Sequence, residues 1–191
     1  MNKVDIINLI SQNHLKLTHD CVTDLLACSN LLEVDKATKL VSEGQYADKS
    51  YFIAKGNARA FYLKDGKDIT DWFAFENDFI NSINCYFLNI PSPHFIETIE
   101  PCILLEISKE NAQILSNKYL EFDRLEKLII TKTLLQLQQR IVSMQFETAH
   151  QKYINLTKFR PDITQRVPLM YIASYLGITL ETLSRIRSTR S

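Results

Sequence analysis

LMYIASYLGITLETLSRIR, residues 169–187, is the stretch on which the fold turns. Its apolar residues Ile172, Leu176, Ile178, Leu183 and Ile186 recur at helical spacing on both sides of Gly177. The spacing predicts one helix ending at Leu176 and a second beginning near Leu180. Gly177 falls at the bend, where a left-handed backbone suits glycine. Thr179 is placed to cap the second helix by accepting a backbone N–H that would otherwise lack a partner. Ala173 is small enough for two helices to cross closely. Helix, tight turn and helix with all apolar residues inward make a helix-turn-helix. The second helix turns Leu180, Glu181, Ser184, Arg185 and Ser188 outward and keeps Leu183 and Ile186 for the core. Short polar groups and an arginine on one face suit base edges in a major groove. Thr179, Thr182, Arg187 and Arg190 extend that candidate DNA-binding surface. The competing reading is a structural helical hairpin with glycine at its bend.

A chain of 191 residues, 46% of them apolar, can build one large core or two small ones. Lys plus Arg and Asp plus Glu are equal at 22 each, so net charge excludes no partner. The distribution is more telling. From Lys152 onward, Lys152, Lys158, Arg160, Arg166, Arg185, Arg187 and Arg190 face only Asp162 and Glu181, which leaves the rest of the chain acidic. A basic end on an acidic body suits contact with phosphate. Asp5 and Asn8 interrupt the apolar run at the N-terminus, and no apolar run is long enough to span a membrane. A cytoplasmic protein with no membrane association is therefore expected, its four cysteines reduced. Cys21 and Cys28 share one helical face, but a cluster would need four ligands and no C-x-x-C is present. They are expected to be core residues, with no metal and no cofactor.

Upstream of the quoted stretch the texture changes twice. Residues 1–30 are expected to be helical, with Thr18 starting the second helix. From Leu31 to Ile107 come short β-type runs, clearest at Lys39–Val41, Tyr51–Ala54, Ala58–Leu63, Thr70–Phe75 and Ile103–Ile107. Gly44, Gly56 and Asp65-Gly66 punctuate them, the last as a two-residue hairpin turn. Strands at such intervals suggest a small antiparallel barrel or jelly roll. A short helix over Glu110–Leu115 and a long one from about Tyr119 follow. In the long helix Ile130, Leu134, Leu137, Ile141 and Met144 repeat at heptad spacing. Leu125, Leu128, Ile129 and Leu135 add a second apolar flank. One face can pack on the barrel while the other forms a parallel dimer seam; a helix packed wholly within one chain is the alternative. Pro161 ends helical structure in Phe159–Asp162.

The fold class expected is α+β: an N-terminal antiparallel barrel flanked by helices, a long dimerisation helix and a C-terminal helix-turn-helix domain. A sensor-like domain over residues 1–145, including the long helix at about 119–145, would precede a DNA-binding domain over 146–191. In that order the pieces resemble the Crp/Fnr family of bacterial transcription regulators over nearly the whole chain. Gly44-Gln45-Tyr46-Ala47-Asp48-Lys49-Ser50-Tyr51-Phe52-Ile53-Ala54-Lys55-Gly56 is similar to the family's spaced-glycine turn and strand. Ile172 to Thr179 and Glu181 to Arg185 are similar to its DNA-binding helices. The resemblance implies a homodimer, contact with DNA and RNA polymerase as a further partner.

Relatives that sense cyclic AMP carry a helix-and-loop cassette, with Gly-Glu early and Arg-Ser about ten residues later. The Glu takes the ribose hydroxyl, while Arg and Ser hold the cyclic phosphate. Aligned without gaps, Asn81-Ser82 and Ser92-Pro93 stand at those places, so none of the four residues is kept. The chemistry agrees: residues 79–102 contain no Lys or Arg. His94 is the one residue there able to carry positive charge, and it is largely neutral at pH 7. A desolvated phosphate with no cation, and a proline where an N–H donor is wanted, makes a poor site. The barrel is expected not to take cyclic nucleotides in the usual way. Residues 80–95 would either line an apolar pocket with Tyr86, Phe87 and Phe95, for a small-molecule effector of unknown identity, or be filled by their own side chains.

Two departures bear on DNA. Leu180 stands where many relatives have a guanine-reading Arg, and a leucine could instead touch a thymine methyl. Glu181 could accept from cytosine N4, and Arg185 could reach guanine or phosphate. The sequence stops four residues after Arg187, so no β-wing is expected behind the recognition helix. The expected function is a dimeric, sequence-specific DNA-binding regulator that does not respond to cyclic AMP. The alternative is a ligand-sensing or signalling module that binds no DNA and has a structural helical tail. An enzyme is not expected: the histidines are scattered, no nucleotide or metalloprotease motif occurs, and Asp68 with Asp71 fits a solvated hairpin.

Overall fold

The computed structural model describes residues 1–188. Helices α1 (Lys3–Asn13) and α2 (His19–Cys28) open the chain. Both begin where the local chemistry dictates: Asn2 and Asp5 form a reciprocal capping box on α1, and Thr18 caps α2 through the Cys21 N–H. Eight strands follow, interrupted by one short helix: β1 (Ser29–Val34), β2 (Lys39–Val41), β3 (Lys49–Lys55), β4 (Ala58–Lys64), β5 (Lys67–Ala74), β6 (Phe79–Asn81), α3 (Ile83–Leu88), β7 (Phe95–Thr98) and β8 (Cys102–Ser108). They form two four-stranded sheets, ordered β1-β8-β3-β6 and β2-β7-β4-β5. Strands distant in sequence are neighbours in both sheets, as in a jelly roll. The helices α4 (Lys109–Lys118), α5 (Leu120–Phe146), α6 (Ala149–Phe159), α7 (Ile163–Arg166), α8 (Leu169–Leu176) and α9 (Leu180–Ser188) complete the chain. The expected α+β class is the one observed, with β2 and the β4–β5 hairpin where the residues place them. Asp65 and Gly66 both have positive φ, 52° and 74°, as a tight hairpin turn requires.

The structure falls into two compact units. Residues 1–60 and 73–132 form the first; residues 61–72, the end of the β4–β5 hairpin, belong with the helices from Thr133 onward. In the first unit, one face of the β1-β8-β3-β6 sheet is covered by helices. Ile6, Ile7 and Ile10 of α1, Cys21 and Leu25 of α2, Ala112 and Leu115 of α4, and Phe122 and Leu125 of α5 close over Phe52, Ala54, Leu105 and Ile107. Burying a side chain of that size contributes about 1.5–3 kcal/mol. Cys21 is a core residue, as expected from the missing cluster spacing, and burial pushes its thiol up to about 12, with Glu121 and Asp24 adding to the effect. All four cysteines are free thiols. In the second unit Tyr153, Ile163, Val167, Ile172, Ala173, Leu176, Leu183 and Ile186 are buried.

Candidate nucleic-acid interface and nucleotide cassette

The end of α8 shows why a glycine stands at position 177. Its φ is +67°, and the turn is closed by Gly177 N–H to the Ser174 carbonyl and Ile178 N–H to the Ala173 carbonyl, both at 3.0 Å. A second constraint comes from packing: a Cβ on Gly177 would lie 2.7 Å from the Met144 methyl carbon. Gly177→Ala is expected to destabilise the protein by about 1–2 kcal/mol through backbone conformation alone. The check is the urea midpoint: adding Met144→Ala should recover only the steric part of the loss.

Thr179 caps α9 as expected, its Oγ1 accepting the Thr182 N–H at 3.2 Å. Glu181 lies in the first turn, where its own backbone N–H and then the Thr179 hydroxyl hold its carboxyl below the usual range. It therefore presents a full negative charge. Along α9 the division of faces follows the sequence pattern: Leu183 and Ile186 are buried, while Thr179, Leu180, Glu181, Ser184, Arg185, Arg187 and Ser188 are exposed and Thr182 is half-buried. Arg190 lies outside the described residues. Not all of the basic end is displayed. Arg160 and Arg166 reach the Asp162 carboxylate, at 3.4 and 3.1 Å. Burial pushes that carboxyl up, but the two guanidiniums outweigh it and hold it below its ordinary value. Arg185 and Arg187 are exposed on α9.

Two of the cassette positions, Ser82 and Ser92, come together. Ser82 and Ser92 are buried, and the Ser82 hydroxyl donates to Ser92 Oγ at 2.8 Å. Ser92 Oγ donates in turn to the His94 carbonyl at 2.7 Å. Backbone groups beside them are engaged: Gly44 N–H reaches the Ser92 carbonyl at 2.8 Å, and Ser92 N–H reaches the Gln45 carbonyl at 2.9 Å. The Ala47 N–H is 2.8 Å from Cys85 Sγ. Asn81 and Pro93 are half-buried. A buried cation of this unit, Arg59, lies on β4 between Ala58 and Ala60 and so leaves the strand on the opposite face from them. Its Nε and Nη2 both reach Glu97 Oε1, at 2.9 and 2.6 Å, so its charge is already matched. Of the three aromatics expected in an apolar pocket, only Tyr86 is fully buried. Phe87 is 48% exposed, and half-buried Phe95 carries the Lys39 ammonium over its ring at 5.1 Å. The buried residues of the six-residue helix α3 are Cys85 and Tyr86.

No group of His, Cys, Asp or Glu able to hold a metal occurs among the described residues. Nor, among them, is any helix long and apolar enough to cross a membrane.

Residues 31–119 match the family model described as the cyclic nucleotide-binding domain. No curated protein matches the sequence. The structure is similar to that of CLP from Xanthomonas campestris, described as a c-di-GMP responsive global regulator, with a TM-score of 0.69 and 18% identity over 90% of this chain and 91% of that one. It is similar to FixK2 from Bradyrhizobium japonicum, with a TM-score of 0.69 and 18% identity over 84% and 83%. It also resembles the catabolite activator protein of Thermus thermophilus, with a TM-score of 0.57 and 16% identity over 91% and 83%. The chain thus has the fold of these proteins, and within it residues 31–119 match the cyclic nucleotide-binding domain family.

Proposed function

We propose that the protein is a dimeric, sequence-specific DNA-binding transcription regulator of the Crp/Fnr type whose barrel does not take cyclic nucleotides in the usual way. The observation that carries this reading is the outer face of α9. Glu181, Ser184, Arg185, Arg187 and Ser188 stand exposed on a helix whose inner residues Leu183 and Ile186 are sunk in the core. The helix is held by the Thr179 cap and the Gly177 turn, so this face is presented on a rigid element. Its Arg185 suits guanine or phosphate, its Glu181 cytosine N4, and Leu180 a thymine methyl. RNA polymerase is a further partner on this reading, and the effector is a small molecule other than a cyclic nucleotide, if one exists.

The dimer rests on α5. Ile130, Leu134 and Ile141 are 47%, 64% and 58% exposed along one heptad stripe, with Leu137 half-buried beside them. Met144, the last of the stripe, is shared with Gly177 of its own chain. An apolar row of that length on a single chain marks an interaction surface. Two recognition helices related by a two-fold axis would meet half-sites about 34 Å apart.

Selection of bound DNA from a random pool, followed by mobility shift, tests the function. Recovery of a palindromic site supports it; no association with any DNA assigns the chain instead to a sensing module with a structural tail. The barrel is tested separately by calorimetric titration with cyclic AMP and cyclic GMP. No binding is expected at micromolar concentrations, because the cassette hydroxyls are bonded to each other and Arg59 is matched by Glu97. Micromolar binding at the barrel would overturn that part.

A further inference from the structure

Met144 ends the heptad row of α5, yet its thioether is turned to its own chain. A Cβ at Gly177 would stand 2.7 Å from the Met144 methyl carbon and 3.5 Å from Sδ, so the thioether lies against the glycine bend. The half-buried Lys152 of α6 reaches the same residue. Its ammonium lies 3.7 Å from Sδ and 3.5 Å from the Met144 carbonyl oxygen. All of these residues belong to the second unit. The sulfur thus meets a cation and, through its methyl, the bend that joins α8 to α9.

A leucine would fill much the same volume and bring no chemistry. A thioether differs because it can take up an oxygen atom. Met144 is 44% exposed, so a small oxidant reaches it from solvent. With hydrogen peroxide, a sulfur lone pair attacks one peroxide oxygen; the S–O bond forms as the O–O bond breaks. The departing hydroxide takes the proton left on the transferred oxygen and leaves as water. Sulfur is oxidised to the sulfoxide and the peroxide is reduced, so no further reactant is needed. The product carries a polar S=O where a soft apolar sulfur had been. Its oxygen is a strong acceptor, and Lys152 is already placed to donate a charge-assisted hydrogen bond to it. The unbranched side chain can turn that oxygen to the ammonium, and in doing so it draws the methyl off Gly177. The bend is closed by the Gly177 and Ile178 N–H bonds to the Ser174 and Ala173 carbonyls. Without the methyl against it the bend opens more readily, and those two amides report the change.

We propose that Met144 is an oxidation site for small peroxides, whose sulfoxide, held by Lys152, loosens the Gly177 bend and weakens the presentation of α9. The consequence for DNA rests on the function proposed above. The oxidation and the loosened bend stand apart from it.

The test treats the full-length protein with hydrogen peroxide, then with dithiothreitol to return the cysteines to thiols. Peptide mass spectrometry is expected to find Met144 sulfoxide. The Gly177 and Ile178 amides should then exchange with deuterium about tenfold faster, while the amides of β8 keep their protection. Affinity for DNA selected on the untreated protein should fall about tenfold. Methionine sulfoxide reductases should reverse both changes. Met144→Leu is expected to keep the untreated behaviour in peroxide, and Met144→Gln to show the loosened bend without it. In Lys152→Leu the same oxidation should move the Gly177 amide less. If Met144 stays reduced while Met1 and Met170, 52% and 56% exposed, are oxidised, the site is overturned. Met144 sulfoxide with unchanged exchange overturns it too, as does equal peroxide sensitivity in Met144→Leu. An equal rise in Lys152→Leu overturns the part given to Lys152. If the wild-type protein binds no DNA, the function proposed above fails, while the Gly177 exchange still decides for or against the oxidation site.

Discussion

Leu134→Arg is expected to turn a dimer into a monomer while leaving the melting of each chain nearly unchanged. Leu134 is 64% exposed on α5, so in an isolated chain an arginine there meets water and should alter stability by no more than about 0.5 kcal/mol. In the dimer the same residue would lie in the seam with Ile130, Leu137 and Ile141, opposite its own symmetry mate. Two buried leucines would be lost, each contributing about 1.5–3 kcal/mol, and two like charges would meet in their place. A loss of about 4 kcal/mol corresponds to roughly a thousandfold in dissociation constant. Sedimentation equilibrium measures it directly. The companion variant is Leu135→Arg, on a second exposed stripe with Leu128 and Val142, about 140° around the helix from the first. If Leu135→Arg dissociates the protein and Leu134→Arg does not, the seam has been placed on the wrong face of α5.

Arg185→Ala is expected to cost about 1–3 kcal/mol in specific DNA binding and to relax preference at one base position. The residue is exposed, and Leu183 and Ile186 beside it supply the packing, so the helix itself should persist with an unchanged circular dichroism spectrum. Arg187→Ala makes a useful contrast. If it contacts phosphate only, it should weaken all sequences alike and reduce the salt dependence of binding by about one counterion. Mobility shifts at two salt concentrations, on the selected site and on a single-base variant of it, separate these roles. Equal binding by wild type and Arg185→Ala would remove this residue from the reading face.

How much of this was legible beforehand varied with the kind of signal. α9 was legible in detail because three local signals agreed: the apolar spacing of Leu183 and Ile186, the glycine bend and the Thr179 cap. The hairpin was legible because Asp65-Gly66 is a turn chemistry with few alternatives. Strands β6 and β7, three and four residues long, were missed because so few residues show no period. Helix α3, six residues long, escaped for the same reason. Helix α6 is a different case. Thr148 and Gln151 form a reciprocal capping box at its start, a signal present in the sequence but not used. In the cassette the alignment singled out Ser82 and Ser92 by what they lack, whereas their bond to each other follows only from the turn that joins α3 to β7. The bond from the Thr70 N–H to the Ser174 hydroxyl was beyond reach, since it joins residues more than a hundred positions apart.

The bonded pair Ser82–Ser92 has a consequence for the ways such a barrel could change under selection. Both positions are buried; the Ser82 hydroxyl donates to Ser92 Oγ, which donates in turn to the His94 carbonyl. A glutamate at 82 or an arginine at 92, introduced singly, would place an unmatched charge where a neutral pair now sits, at a cost of several kcal/mol. That penalty disappears only when the second charge and an anionic ligand are present together. A lineage carrying this pair is therefore separated from a nucleotide-holding barrel by a fitness valley rather than a slope. Either substitution made alone therefore carries that penalty until the second charge is also present.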